Sequence, residues 1–234
     1  MASWLHLCDR ESVTSRTPTE KPLRADAARN RNAIITAARH AFAEQGLQVP
    51  LDEIARRAGV GEATLHRRFP DRESLIAAAF TDKMTDYADA AAQALADPDP
   101  WAGFCGYVRR VCAMQSGDRG FADLLTLTFA ATNPAIEDLE GRRAGAYRDW
   151  VTVVRRAKTS GQLRADFHPD DMILLLMANA GVVAATVGTA PDAWQRIVEY
   201  LLQAFTTEHA RELPTPPPRE ALLRAMHRSQ QAVV

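Results

Sequence analysis

Three cysteines in 234 residues, Cys8, Cys105 and Cys112, are too few and too irregularly spaced for a disulfide framework or a four-ligand zinc site. They suit a reducing, cytoplasmic setting. Charge of one sign is equally scarce. The 28 basic and 29 acidic residues leave a formal net charge of -1, which argues against a structural protein that coats nucleic acid without sequence choice. The most apolar stretch, Met172 to Val187, spans 16 residues, short of the roughly 20 that cross a bilayer. The opening segment MASWLHLCDRESVTSRTPTEKP has no cationic stretch followed by a sustained apolar run, so no secretory leader and no membrane partner are expected. No Gly-rich phosphate loop, HExxH, GxSxG or pair of carboxylates flanking a cleft is present, which leaves no basis for an enzyme or a cofactor. His6, His40, His66, His168, His209 and His227 form no i, i+4 pair, and no metal site is expected from them.

What is present is helical period. With 47% hydrophobic residues the chain can bury a sizeable core, and no convincing alternating strand interrupts it, so the expected class is all-α. Ile34, Ile35, Ala38, Ala41 and Phe42 mark a first helix over about 25–45, and Leu51, Ile54, Ala55 and Ala58 a second, opened by Pro50 and broken by Gly59. A short third helix, about 61–69, buries Leu65 and Phe69 and stops at Pro70. Asp71 can cap a long fourth that carries Leu75, Ile76, Phe80, Met84 and Tyr87 towards the Asp-Pro-Asp-Pro at 97–100. Further stripes follow at 101–112, 121–129 and 147–154. An almost wholly apolar helix runs to Val187, and because it is apolar nearly all round it should be well buried. A last helix, about 192–206, sets Trp194, Ile197, Val198, Leu201, Leu202 and Phe205 on one face wide enough to meet a partner.

This pattern divides the chain into an arm at 1–23, a unit at 24–90, a larger helical bundle at 91–207 and a tail at 208–234 that contains Pro-Thr-Pro-Pro-Pro. Both ends, lacking periodicity, are expected to be mobile. Residues 24–72 carry nine basic against six acidic residues, so this stretch is +3 and the rest of the chain -4.

The segment 50–72, PLDEIARRAGVGEATLHRRFPDR, reads as two short helices meeting at a tight turn, with Gly59 free to take positive φ and Val60 plugging the elbow. Its second helix offers solvent Gly61, Glu62, Ala63, Thr64, His66, Arg67 and Arg68, with Arg72 just beyond. The major groove of duplex DNA admits one helix, and the small Ala63 and Thr64 let its backbone approach base edges. Thr64 suits a thymine methyl or a base acceptor. Arg67, Arg68 and Arg72 suit phosphates, and His66 adds a phosphate hydrogen bond. Taken alone, Arg67 and Arg68 would more often be a solvated face; their place on this helix reverses that balance in favour of the DNA reading. Arg24, Arg29 and Arg31 could reach a minor groove or simply form a solvated arm.

The run from Leu51 to Leu75, with Ile54-Ala55, Ala58-Gly59-Val60, Thr64-Leu65 and Phe69-Pro70, resembles the TetR family of transcriptional regulators over about residues 26–90. His66 stands where that family usually has Tyr, Pro50 where a threonine often caps the second helix, and Arg72 where Lys is common. The resemblance implies an all-helical C-terminal domain that dimerises through its last two long helices and holds a pocket for a small effector. The expected partners are then a palindromic double-stranded DNA operator, a second copy of the chain and an effector. Operator binding would place two recognition helices roughly 34–36 Å apart. Repression relieved by the effector is the family's commoner mode. An activator, a ligand-independent regulator of the same fold and an enzyme with a vestigial helix-turn-helix are the rival readings. For the aromatics Trp101, Phe104, Tyr107, Phe121, Phe129, Tyr147 and Trp150, pocket lining and plain core both fit. For Cys105 and Cys112, seven residues apart on one helical face, core packing is favoured over a thiol sensor.

Overall fold

The computed structural model describes residues 20–126, 134–208 and 210–231, and among them the regular elements are all helices, apart from an isolated bridge between Leu163 and Thr206. In chain order they are α1 (Glu20–Gln45), α2 (Leu51–Ala58), α3 (Glu62–Arg68), α4 (Arg72–Ala96), α5 (Pro100–Ser116), α6 (Arg119–Thr126), α7 (Pro134–Thr159), α8 (Asp171–Thr186), α9 (Ala193–Ala204) and α10 (Arg219–Gln231). Helix α1 begins inside the segment expected to be an arm. Its added turn, Glu-Lys-Pro-Leu-Arg, holds the helix formers Glu, Lys, Leu and Arg, and Pro22 falls in the first turn, where no amide donor is needed. The Asp71 carboxylate accepts the Ser74 N–H at 2.7 Å and starts α4; Asp99 accepts the Trp101 N–H at 2.9 Å and starts α5.

Two hydrophobic clusters organise these helices. The first joins α1, α2, α3 and the N-terminal half of α4 through Ile34, Phe42, Ile54, Leu65, Phe80 and their neighbours, and it takes in Phe121 and Leu124 of α6 and Ile136 and Leu139 of α7. A second lies between the C-terminal half of α4 and α5, α7, α8 and α9. Tyr87 on α4 and Leu125 on α6 pack against both. A linear division at residue 90 therefore hides one fact: α6 comes later in the chain yet contributes to the core of the N-terminal unit. It sits very close. A Cβ on Gly120 would stand 2.8 Å from Phe42 Cβ and 2.9 Å from the Phe42 carbonyl oxygen and from the Phe80 ring.

Two expectations need correction. Helix α8 is not buried all round: Met172, Leu175, Leu176 and Asn179 turn inward, whereas Leu174, Ala178, Gly181 and Ala185 form an exposed stripe and Val187 is 68% exposed. Nor is the tail without packed structure. The Pro-rich run precedes α10, and the Pro218 carbonyl accepts the N–H groups of Ala221 and Leu222, so proline serves there as the entry to a helix. Leu222 is 6% exposed. Arg219 pairs with the buried Asp170 and lies 3.9 Å over the Tyr147 ring, whose hydroxyl donates to Asp170 at 2.9 Å.

The contact at Gly120 yields a signed prediction. Gly120→Ala should lower the thermal midpoint, because overpacking against an unyielding backbone costs about 1–3 kcal/mol and outweighs the helix-propensity gain. Gly141→Ala in α7, where nothing lies within 4 Å, should raise it by about 0.5–1 kcal/mol of stability. Thermal denaturation of the two variants checks this, and equal shifts of one sign would contradict it.

Candidate nucleic-acid interface

Helices α2 and α3 are joined by Gly59, Val60 and Gly61. Gly59 takes φ +67, a left-handed conformation that side chains with a Cβ resist, and its N–H donates to the Arg56 carbonyl at 3.2 Å while the Val60 N–H donates to that of Ala55 at 3.0 Å. Val60 packs against the first cluster. The turn therefore has the shape that the glycine and valine suggested.

The seven residues of α3 split cleanly by face. Leu65, with Phe69 at its end, is buried, which contributes about 1.5–3 kcal/mol for each side chain. Everything else looks out: Glu62, Ala63, His66, Arg67 and Arg68 are exposed and Thr64 is half-buried. Among the described residues, the side chains of Thr64, His66, Arg67 and Arg68 have no hydrogen-bond or ion-pair partner. The arginines of α2 differ. Arg56 and Arg57 both donate to Glu53 at 2.8 Å, Arg57 also reaches Glu44 at 2.7 Å, and these bonds hold the Glu53 carboxyl below its usual range. Arg67 and Arg68 thus present free guanidinium groups, while the neighbouring basic residues are neutralised.

Arg72, unlike Arg67 and Arg68, has partners within the chain. Its Nη1 donates to the carbonyls of Leu47 at 2.9 Å and Val49 at 2.6 Å, so the guanidinium braces the α1–α2 turn. Arg31, by contrast, lies 5.6 Å from the centre of the Phe69 ring, at the C-terminal end of α3, which brings a cation of α1 beside the exposed face. The Arg24 side chain lies outside the described residues.

Of the aromatic residues weighed as pocket lining, Trp101, Phe104, Tyr107, Tyr147 and Trp150 gather in or against the second cluster. Trp101, Phe104, Trp150 and Tyr107 form a continuous stack, with ring centres 5.3 Å, 5.3 Å and 4.8 Å apart, inside the second cluster. Phe121 belongs to the first cluster, and Tyr147 faces Asp170 and Arg219. Phe129 lies outside the described residues. The α9 stripe is a correction. Val198 and Leu202 are buried within the protomer, Trp194 and Leu201 pack against the second cluster, and Phe205 meets Phe167 at 5.0 Å. Ile197 sits at the edge of the stripe, and Tyr200, 53% exposed, faces out instead. Periodicity located an apolar face correctly, but its cover comes from α5 and α8 of the same chain.

Among the described residues no group of three His, Cys, Asp or Glu side chains is placed to hold a metal ion, and no helix is long and apolar enough to cross a membrane. The second cluster buries Cys105 and Cys112, and burial pushes their thiols up to about 11 and about 12.

Two short helices about a glycine elbow, the second held by two buried side chains and polar on its free side, define a helix-turn-helix DNA-binding protein. The model of the bacterial regulatory proteins of the tetR family matches residues 34–79. No curated protein matches the chain. Among solved structures, the TetR transcription regulatory protein from Mycobacterium vanbaalenii is 30% identical, with 80% of this chain aligned to 100% of that one at a TM-score of 0.47. A TetR regulator from Streptomyces coelicolor is 29% identical over 75% and 98% of the two chains, with a TM-score of 0.48. The transcriptional regulator FadR of Bacillus subtilis, solved with stearoyl-CoA, shares the fold at a TM-score of 0.54, with 18% identity over 73% of this chain and 96% of that one. The chain belongs to the TetR family of helix-turn-helix transcriptional regulators.

The raised thiols give a direct check. At pH 8 both lie well below half ionisation, so iodoacetamide followed by peptide mapping should leave Cys105 and Cys112 unmodified in the folded protein and modify both in guanidinium chloride. Equal labelling under the two conditions would contradict their core role.

Proposed function

We propose that the chain is a homodimeric repressor that reads a palindromic operator with α3 and releases it when a small molecule occupies the C-terminal domain. The observation that carries the DNA-reading half is the free polar face of α3: Thr64, Arg67 and Arg68 are exposed or half-exposed without protein partners, on a helix fixed from behind by Leu65 and Phe69. Gly61, Glu62 and Ala63 approach base edges, Glu62 can accept from a cytosine amino group, and Thr64 meets a thymine methyl. His66, Arg67, Arg68 and Arg31 contact phosphates and set the register.

The dimer half rests on the apolar surface left uncovered in one protomer. On α8 this is Leu174, Ala178, Gly181 and Ala185; on α9 it is Ile197, Tyr200 and Ala204. Small residues let helices approach closely, and a contiguous exposed apolar face of this kind marks an association surface. Two-fold symmetry of the dimer requires a two-fold operator.

Release is assigned to α6. Gly120 lets this helix lie against Phe42 and Phe80, and the Asp123 carboxylate accepts the Leu47 N–H at 2.9 Å, just where Arg72 braces the same turn. A ligand that displaces α6 therefore pulls on the α1–α2 turn and changes the separation of the two α3 helices, which couples the two sites.

Arg67→Ala should weaken binding to all DNA sequences by similar factors and reduce the slope of log K against log salt by about one unit, as for one lost phosphate contact. Fluorescence anisotropy over a salt series checks this. An unchanged slope would remove Arg67 from the phosphate contacts.

A further inference from the structure

Two amide side chains in the C-terminal domain are buried without being satisfied. Gln115 on α5 and Asn179 on α8 are each 1% exposed. The Asn179 Nδ2 donates to the Cys112 carbonyl at 3.3 Å and to Gln115 Oε1 at 2.7 Å. The first of these bonds fixes which way the Asn179 amide points, and the second then fixes Gln115, so neither assignment is arbitrary. What remains is one donor, Gln115 Nε2, and one acceptor, Asn179 Oδ1, neither with a partner. Native interiors rarely leave such groups unmet, because each keeps its desolvation cost with nothing to offset it.

The surrounding helices show where a partner would come from. Helix α5 packs against both α6 and α8, and α10 packs against the same two helices. Asn179 is also the last fully buried residue of α8; beyond it the helix is half-buried or exposed. The amide pair therefore bridges α5 and α8 at the level where full burial of α8 ends; α5 also adjoins α6, the helix that reaches the DNA-binding unit, and α8 adjoins the tail helix α10, anchored by Arg219 on Asp170.

We infer that Gln115 and Asn179 are the polar anchor of the effector site, and that the effector is an uncharged, largely apolar molecule bearing a hydroxyl group. This rests on the proposal that an effector exists. A single hydroxyl meets both needs: its oxygen accepts from Gln115 Nε2 and its hydrogen is donated to Asn179 Oδ1. A carboxylate offers no hydrogen to Asn179 Oδ1 and an ammonium offers no acceptor to Gln115 Nε2, so each leaves one group of the pair opposed. Around the pair, Val111, Cys112, Leu175 and Leu176 supply apolar surface, the common make-up of a small-molecule site with few, well-placed polar groups.

The test uses hydroxyl compounds paired with methyl counterparts of the same shape: cyclohexanol with methylcyclohexane and 2-naphthol with 2-methylnaphthalene. Dissociation constants are measured by calorimetry on the full chain and on the Gln115→Met, Asn179→Leu double variant. The ratio of methyl to hydroxyl dissociation constants should fall at least tenfold, about 1.4 kcal/mol, from wild type to the variant for at least one pair. Solvation of the free probes cancels in that comparison. Should the double variant not fold, Asn179→Leu alone should show the same direction. A ratio unchanged by the substitutions, or no binding of any probe to the wild type, would overturn the inference. DNA retention measured in the same samples separates the two readings: hydroxyl-selective binding that leaves operator affinity unchanged keeps the ligand site and removes its role as effector.

Discussion

The burial of two side chains, Leu65 and Phe69, governs what this molecule can present to DNA. Helix α3 has only seven residues, too few to be stable alone in water. It persists because those two apolar groups, one turn apart, are inserted into the first cluster, and their insertion decides the rotation of the helix about its axis. Turned otherwise, α3 would bury arginine and expose phenylalanine. Seated as it is, it leaves every charged group of α3 on the free side. Gly59 and Val60 set the angle at which α3 leaves α2, and the carboxylates of Glu53 and Glu44 hold the arginines of α2 away from competing with those of α3.

The same cluster ties the reading head to the rest of the chain. Phe42 and Phe80 stack at 5.9 Å and receive Gly120 of α6 on their flank, while Phe121 beside it meets Tyr87, a residue shared by both clusters. No flexible linker separates the two cores; α4 runs through both as one helix. Interiors packed this closely do not deform gradually, so under the proposed release a displacement of α6 would reach the α1–α2 turn as a shift of whole elements. Burial raises the Asp123 carboxyl above its usual range while its bond to the Leu47 N–H opposes that rise. The link between α6 and the turn is thus a carboxylate kept in place against a desolvation cost.

Some of this was legible in the residues before any coordinates. The helix-turn-helix announces itself because its determinants are local: a glycine that must turn, a valine that fills the elbow and apolar residues at helical spacing. Other features depend on distant chain segments, and no local pattern encodes those. The bracing of the α1–α2 turn by Arg72 is invisible in the sequence because the carbonyls of Leu47 and Val49 that accept its hydrogen bonds have no side-chain signature. The α9 stripe suggests an interface because periodicity reports that a face is apolar and not which surface covers it; Val198 and Leu202 meet their own protomer, and Leu174 and Tyr200 are the large apolar residues left exposed on α8 and α9. The Pro-rich run suggested an unstructured end, whereas it leads into α10. Gln115 and Asn179, 64 residues apart, are ordinary amides until α5 and α8 are brought together.

The claim that α3 reads operator DNA as one of a symmetric pair is tested most directly by selecting bound fragments from random duplex DNA with the purified full-length chain and sequencing them. The recovered fragments should share an inverted repeat, its half-sites separated by about 10–10.5 base pairs or a multiple of that spacing. Fragments with no common sequence, or a motif without two-fold symmetry, would contradict it.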